Sequence, residues 1–134
     1  MILTVDFPSP FGIVYQGNLS NPMSFDSLSS VLHEKLLHKP LGIQGHTDLI
    51  KKVAWCTGAG QGFIQQSCDA GVDTFLSGEI SEQTVHQAKE LGVNYFACGH
   101  HATERYGIKA LTDKLKSDLS GDINISFVDL SIPV

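Results

Sequence analysis

The sequence has little that would serve a membrane, an oxidising compartment or a nucleic acid. No apolar run approaches the roughly 20 residues needed to span a bilayer, and the opening Met1-Ile2-Leu3-Thr4-Val5-Asp6 lacks the positive start of a secretory signal. Cysteine is scarce. Cys56, Cys68 and Cys98 are odd in number and widely spaced, with no C-x-x-C pair, which excludes a disulfide framework and leaves them as small buried hydrophobes. Basic residues are short too: 9 Lys and Arg stand against 14 Asp and Glu, a formal net charge of -5 that offers no field to attract phosphate backbones. These lacks lead us to expect a cytoplasmic protein, with neither membrane nor nucleic acid among its partners. What is present, 134 residues of which 42% are hydrophobic and 17% charged, suits one globular domain with a real core.

Pro8 and Pro10 make residues 1–10 an irregular lead-in, and residues 11–134 are expected to form a single domain. A strand is predicted over 12–19. Asn21-Pro22-Met23-Ser24 then offers Ser24 as an N-cap, after which Phe25, Leu28, Val31, Leu32 and Leu36 recur at helical spacing and stop before Pro40. Further on, the short apolar runs Val53-Ala54-Trp55-Cys56, Thr74-Phe75-Leu76 and Val93-Asn94-Tyr95-Phe96-Ala97 alternate with helical segments, the pattern of βα units on a parallel sheet. One helix carries Phe63, Ile64 and Cys68 and closes at Gly71. Another starts at Ser81, carries Val85, Ala88 and Leu91, and closes at Gly92. A third follows Gly99 with Ile108, Leu111 and Leu115 as its apolar stripe and ends at Ser120-Gly121-Asp122. Residues 123–128 alternate strictly and predict an edge strand with one wet face. Trp55, Tyr95 and Phe96 fall on buried strands and are read as core.

A short internal repeat carries functional information. Residues 71–79 match residues 92–100 position by position, so Glu79 and His100 occupy equivalent places just past a strand. Ligands of parallel α/β sheets bind outside the carboxyl ends of the strands, which sets a carboxylate and an imidazole at that edge. If Gly99-His100-His101-Ala102-Thr103-Glu104-Arg105 opens a helix, His100 and Glu104 share a face and converge on one cation, while His101 points elsewhere. The alternative is that Glu104 complements the helix N-terminus by its charge and His100 is a polar loop residue. Two ligands do not complete a catalytic site, which usually needs at least three. Glu79, His86 or another polypeptide segment must supply the rest, and His86, on the next helix, is at most a supporting group.

Thr57-Gly58-Ala59-Gly60-Gln61-Gly62 lies between a strand and a helix. Gly58, Gly60 and Gly62 form either an anion seat made of backbone N–H groups or a tight turn that needs glycine, and the loop lacks the lysine of a P-loop. Nucleophilic catalysis has little support, since no serine lies in a G-x-S-x-G elbow and Cys98 need not meet His100 in space.

Three stretches, residues 53–63, 77–86 and 99–105, occur in the order found in the Nif-three-like family, also called the YbgI family and often described as GTP cyclohydrolase I type 2 homologues. The chain resembles the carboxyl-terminal half of that family from Phe11 onward. The resemblance implies a three-layer α/β sandwich with a mostly parallel sheet, part of a larger fold. It also implies a dinuclear centre of divalent metal ions, two per complete chain, with zinc, iron and manganese not distinguished. By position, His100 and Glu104 correspond to the family's final His-x-x-x-Glu. The remaining ligands, a His-His pair and an aspartate, belong to an amino-terminal half, and His33, His38 and His46 match no such motif. The resemblance further implies a homo-oligomer, in the family a ring-shaped hexamer.

Two functions follow as expectations. One is a metal-dependent hydrolase acting on a small-molecule or phosphate-containing substrate, with His100 and Glu104 as ligands and Glu79 as a supporting or proton-transfer catalytic group. The other is an oligomeric binding or assembly module with an incomplete metal site and no turnover. A nucleotide-binding module using the glycine loop alone ranks below both.

Overall fold

The computed structural model describes residues 12–119, 123–130, 132 and 133. The lead-in expected over residues 1–10 and the expected helix stop at 120–122 lie outside these. Three strands, β3 (Leu49–Trp55), β4 (Thr74–Ser77) and β5 (Asn94–Ala97), run parallel in the middle of one sheet. On its edges lie β1 (Tyr15–Ser24), antiparallel to β3, and β2 (Leu41–Ile43), antiparallel to β5, giving the order β1-β3-β4-β5-β2. The sheet is therefore mixed, parallel through its centre and bounded by an antiparallel strand on each side.

Alternation along the central strands sends neighbours to opposite faces and builds two cores. Ala54, Phe75 and Tyr95 pack with Ile64 and Ala88 of α2 (Ile64–Asp69) and α3 (Glu82–Leu91). Val53, Phe96 and Cys98 pack on the other side with Leu28, Leu32 and Leu36 of α1 (Phe25–Leu36). Phe25 stacks on Phe96 there, with ring centroids 4.5 Å apart. The result is the expected α/β sandwich with helices on both faces. Cys56 and Cys98 are buried, Cys68 is half-buried, and all three are free thiols. Trp55 differs from the expected core position: it is half-buried and stacks on Tyr15, because β1 covers it only in part.

Helix boundaries follow local chemistry. The Ser24 hydroxyl accepts from Ser27 N–H at the start of α1, and Ser81 forms a capping box with Thr84 at the start of α3, which closes at Gly92. Among the described residues, no helix is long and apolar enough to cross a membrane.

Four expectations are corrected. First, β1 starts at Tyr15 and runs on through Pro22. The pairing register shifts between Asn18 and Met23, and this irregularity takes the proline out of the ladder it cannot serve. Second, β2 was missed because three residues are too short to show a period. Third, residues 123–128 form no strand. Both sheet edges are already taken by β1 and β2, and alternation without a ladder partner is not enough. Fourth, the stripe of α4 (His100–Asp118) is not core: Ile108, Leu111 and Leu115 are 59%, 52% and 37% exposed, and Ala102 and Thr112 are the buried positions.

The internal repeat has a structural use as well. At its third position Asp73 accepts from the N–H groups of Lys51 and Lys52, at 2.8 and 3.0 Å. The equivalent Asn94, fully buried, accepts from Gly45 N–H at 2.8 Å and donates to Thr74 Oγ1 at 3.3 Å. Each side chain clasps the entry of a neighbouring segment. Asn94→Ala strands a backbone donor and is expected to destabilise the fold by about 2 kcal/mol in urea unfolding; a change within a few tenths would show that the clasp is unimportant.

Candidate functional site

All three parallel strands leave the sheet through a glycine, and backbone hydrogen bonds lace the exits together. Gly78 N–H donates to Gly58 C=O at 2.9 Å, and Gly99 N–H donates to Gly78 C=O at 3.0 Å. The buried Ser77 hydroxyl also donates to Gly58 C=O, at 3.2 Å. The exits approach so closely that a Cβ on Gly78 would fall 2.7 Å from the Gly58 oxygen. Gly58 itself has φ +61°, and a Cβ there would overlap Glu104 Oε1 and lie 3.1 Å from His100 Nε2. Its Cα therefore forms the floor beneath the His100 and Glu104 side chains.

His100 is the first residue of α4 and Glu104 lies one turn on, so both project from the same face. His100 Nδ1 is 2.6 Å from Glu79 Oε1, and Nε2 is 3.2 Å from Glu104 Oε1. An imidazole is thus held between two carboxylates, one from the exit of β4 and one from its own helix. Tyr95 fixes Glu79 from below, its buried hydroxyl donating to the Glu79 carbonyl at 2.5 Å. Thr103 ties helix to loop: its hydroxyl accepts from Gly58 N–H at 3.1 Å and lies 3.0 and 2.9 Å from the carbonyls of Gly99 and His100.

The Glu79 hydrogen bond raises the His100 pKa above its ordinary 6.5; burial opposes the shift, and the Glu104 charge adds to it. Burial raises Cys56, and it pushes Cys98 up to about 12, so both stay protonated thiols and offer no nucleophile. Among the described residues, no group of three or more His, Cys, Asp and Glu side chains is placed to hold a metal ion. His100 Nε2 and Glu104 Oε1, 3.2 Å apart, are two donor atoms on one face of α4.

A family model, "Duf34/NIF3 (NGG1p interacting factor 3)", matches residues 7–132. The chain belongs to the DUF34/NIF3 family. Proteins named "GTP cyclohydrolase 1 type 2 homolog" are similar: that of Allochromatium vinosum is 51% identical over 100 residues, covering 75% of this chain and 39% of the relative. That of Escherichia coli K12 is 43% identical over 123 residues, covering 90% and 49%. The chain thus spans about half the length of these relatives or less. Among solved structures, "protein ybgI, unknown function" superposes with a TM-score of 0.89 at 41% identity, over 98% of this chain and 52% of that one. HcgD from Methanocaldococcus jannaschii, in its reduced form, shares the fold at 22% identity with a TM-score of 0.77, over 87% and 47% of the two chains.

Within this NIF3-family chain, Glu79, His100, Glu104 and Gly58 come together. His86 does not join them: it is exposed on α3, 4.0 Å from Glu82. Gly60 N–H is spent on Gly58 C=O at 3.0 Å, Gly60 packs against Cys56 Sγ, and Gly62 faces open space. The Gly60 N–H thus serves the turn itself, and the Gly58 N–H is taken by Thr103 Oγ1. His101 lies toward a different cavity, beside Leu36 and Arg105. Sequence reasoning missed Thr103 and Lys39 and set His38 aside for want of a matching motif; Lys39 and His38 share with Glu79 and His100 a cavity of about 500 Å³. The signal for those two was β2, whose pairing of Leu41 with Ala97, continued outward, sets Lys39 opposite Gly99.

In metal-free protein, His100 is expected to titrate above 6.5 by NMR, and Glu79→Gln to bring it back down. Because the folded value is the raised one, the pair's contribution to stability is full below the unfolded value and fades as pH rises through the folded one. A His100 titrating below 6.5 would contradict the geometry.

Proposed function

We propose that this chain supplies the carboxyl-terminal half of a divalent-metal site in a metal-dependent, hydrolase-like protein. The observation that carries this reading is the series Glu79–His100–Glu104 at the strand exits. A neutral imidazole whose Nδ1–H is held by a carboxylate presents its Nε2 lone pair outward, the usual arrangement of a metal-binding histidine. The 3.2 Å between Nε2 and Glu104 Oε1 is close to the ligand-to-ligand edge of a site with bonds of about 2.0–2.1 Å. One nitrogen and one carboxylate oxygen suit zinc, iron or manganese and do not choose among them.

His100 and Glu104 would hold the ion, and Glu79 would fix the tautomer and take up or return a proton at Nδ1. Gly58, lacking a side chain, leaves the approach to both donors open. When bound, such an ion activates water and polarises an oxygen of the substrate. Metal and proton compete for Nε2, so loading releases protons and strengthens as pH rises. The remaining ligands must come from outside the pair, whether from more of the polypeptide or from a second copy.

Elemental analysis after incubation with zinc, manganese or iron tests this. Bound metal is expected in the wild type and absent in His100→Ala and Glu104→Ala, with Glu79→Gln weakening affinity by about 10–100-fold. Equal metal content in wild type and both alanine variants would sink the proposal.

A second reading, an oligomeric assembly module without turnover, is favoured by the exposed apolar stripe of α4, which Leu119 continues. A well-folded multimer that stays free of metal would favour it over the first. Sedimentation velocity reports whether the chain assembles as a homo-oligomer, up to the hexamer we propose on the family resemblance.

A further inference from the structure

The cavity of about 500 Å³ beside His100 is as large as many small-ligand pockets, and its charges are unevenly distributed. Glu79 is turned to His100 Nδ1 at 2.6 Å and is engaged within the wall. Glu104 does not line the cavity. Lys39 does, is exposed, and has no ion pair or hydrogen bond among the described residues. Leu41, Ile80 and Ala97 add an apolar surface.

The fold explains why Lys39 stands here. α1 ends with Leu37 in the left-handed region, and buried Pro40 leads into β2, whose register against β5 is fixed by Leu41 and Ala97. His38 is pressed onto the strand exit, where a Cβ on Gly99 would lie 3.0 Å from both its Cδ2 and its Nε2. A lysine ammonium and an imidazole therefore stand at the cavity wall that His100 shares, with no carboxylate among the described residues paired to the lysine.

We propose that this cavity binds a small organic anion, its charged group met by Lys39 and His38, its apolar body against Leu41 and Ile80, and its reacting end at His100. The anion is a phosphate monoester or a carboxylate. The assignment of the reacting end rests on the metal-site reading above, whereas the anion subsite stands on the cavity alone.

The test uses phenyl phosphate, benzoate and neutral benzyl alcohol as probes, titrated by NMR into the full chain with EDTA present. Saturable binding of either anion is expected, with shifts at Leu41 and Gly99, and benzyl alcohol is expected to bind far more weakly. Which anion binds more tightly identifies the charged group. Lys39→Gln should weaken the anion about tenfold and Lys39→Glu more, with the amide spectrum otherwise unchanged, as suits an exposed side chain. No saturable binding, shifts mapping elsewhere, benzyl alcohol as tight as the anions, or equal affinity in Lys39→Gln would each overturn the proposal. Metal content of the wild type, read separately, keeps the two readings apart. Anion binding without metal sinks the metal site alone, and metal without Lys39-dependent anion binding sinks this one.

Discussion

Gly58 carries two constraints at one position, and the geometry above the sheet depends on both. Its carbonyl receives Gly78 N–H at 2.9 Å and the Ser77 hydroxyl at 3.2 Å, which locks the exit of β3 to that of β4. Its Cα lies where a methyl group would overlap the Glu104 carboxylate and crowd His100. At φ +61° any other residue would also be strained. The backbone thus approaches the His100–Glu104 pair closely on one side and leaves the other side open. Thr103 completes the link, because its hydroxyl joins Gly58 to the first turn of α4. Sheet, loop and helix are coupled at this point, so an alteration of the turn is felt directly by the imidazole.

On that floor, the imidazole has two competing uses. With Glu79 at Nδ1 and Glu104 at Nε2, a proton on each nitrogen is favourable, which is the source of its raised pKa. The same surroundings favour a cation other than a proton at Nε2, since Glu79 has already selected the tautomer that frees that lone pair. Both charged neighbours are partly solvated, with side-chain exposures of 41% for Glu79 and 53% for Glu104, so screening weakens the ion pair as such. The ion pair as such therefore contributes little to stability.

How much of this was legible in the sequence differs by element. The repeat of residues 71–79 in 92–100 placed Glu79 and His100 at equivalent exits, and in the fold they meet. The helix-start serines, Ser24 and Ser81, were readable because N-capping is a local interaction. β2 was not, since its three residues are held by pairing with β5 and not by any pattern of their own; Lys39 was lost with it, and His38, which matched no motif, was set aside. Thr103 carried no signal, because its role depends on a loop far away in the sequence. The alternation in residues 123–128 and the stripe of α4 misled in the same way: each is a request for a partner surface, and a pattern does not say whether the chain itself provides one.

The most direct test of the half-site is paramagnetic broadening in the isotope-labelled full chain titrated with manganese(II). Loss of signal is expected first at His100, Glu104 and Gly58, then at Glu79, and is expected to spare His86 on the exposed face of α3. Broadening centred on any other cluster of acidic side chains, or spread evenly over the surface carboxylates, would contradict the assignment of His100 and Glu104 as metal ligands.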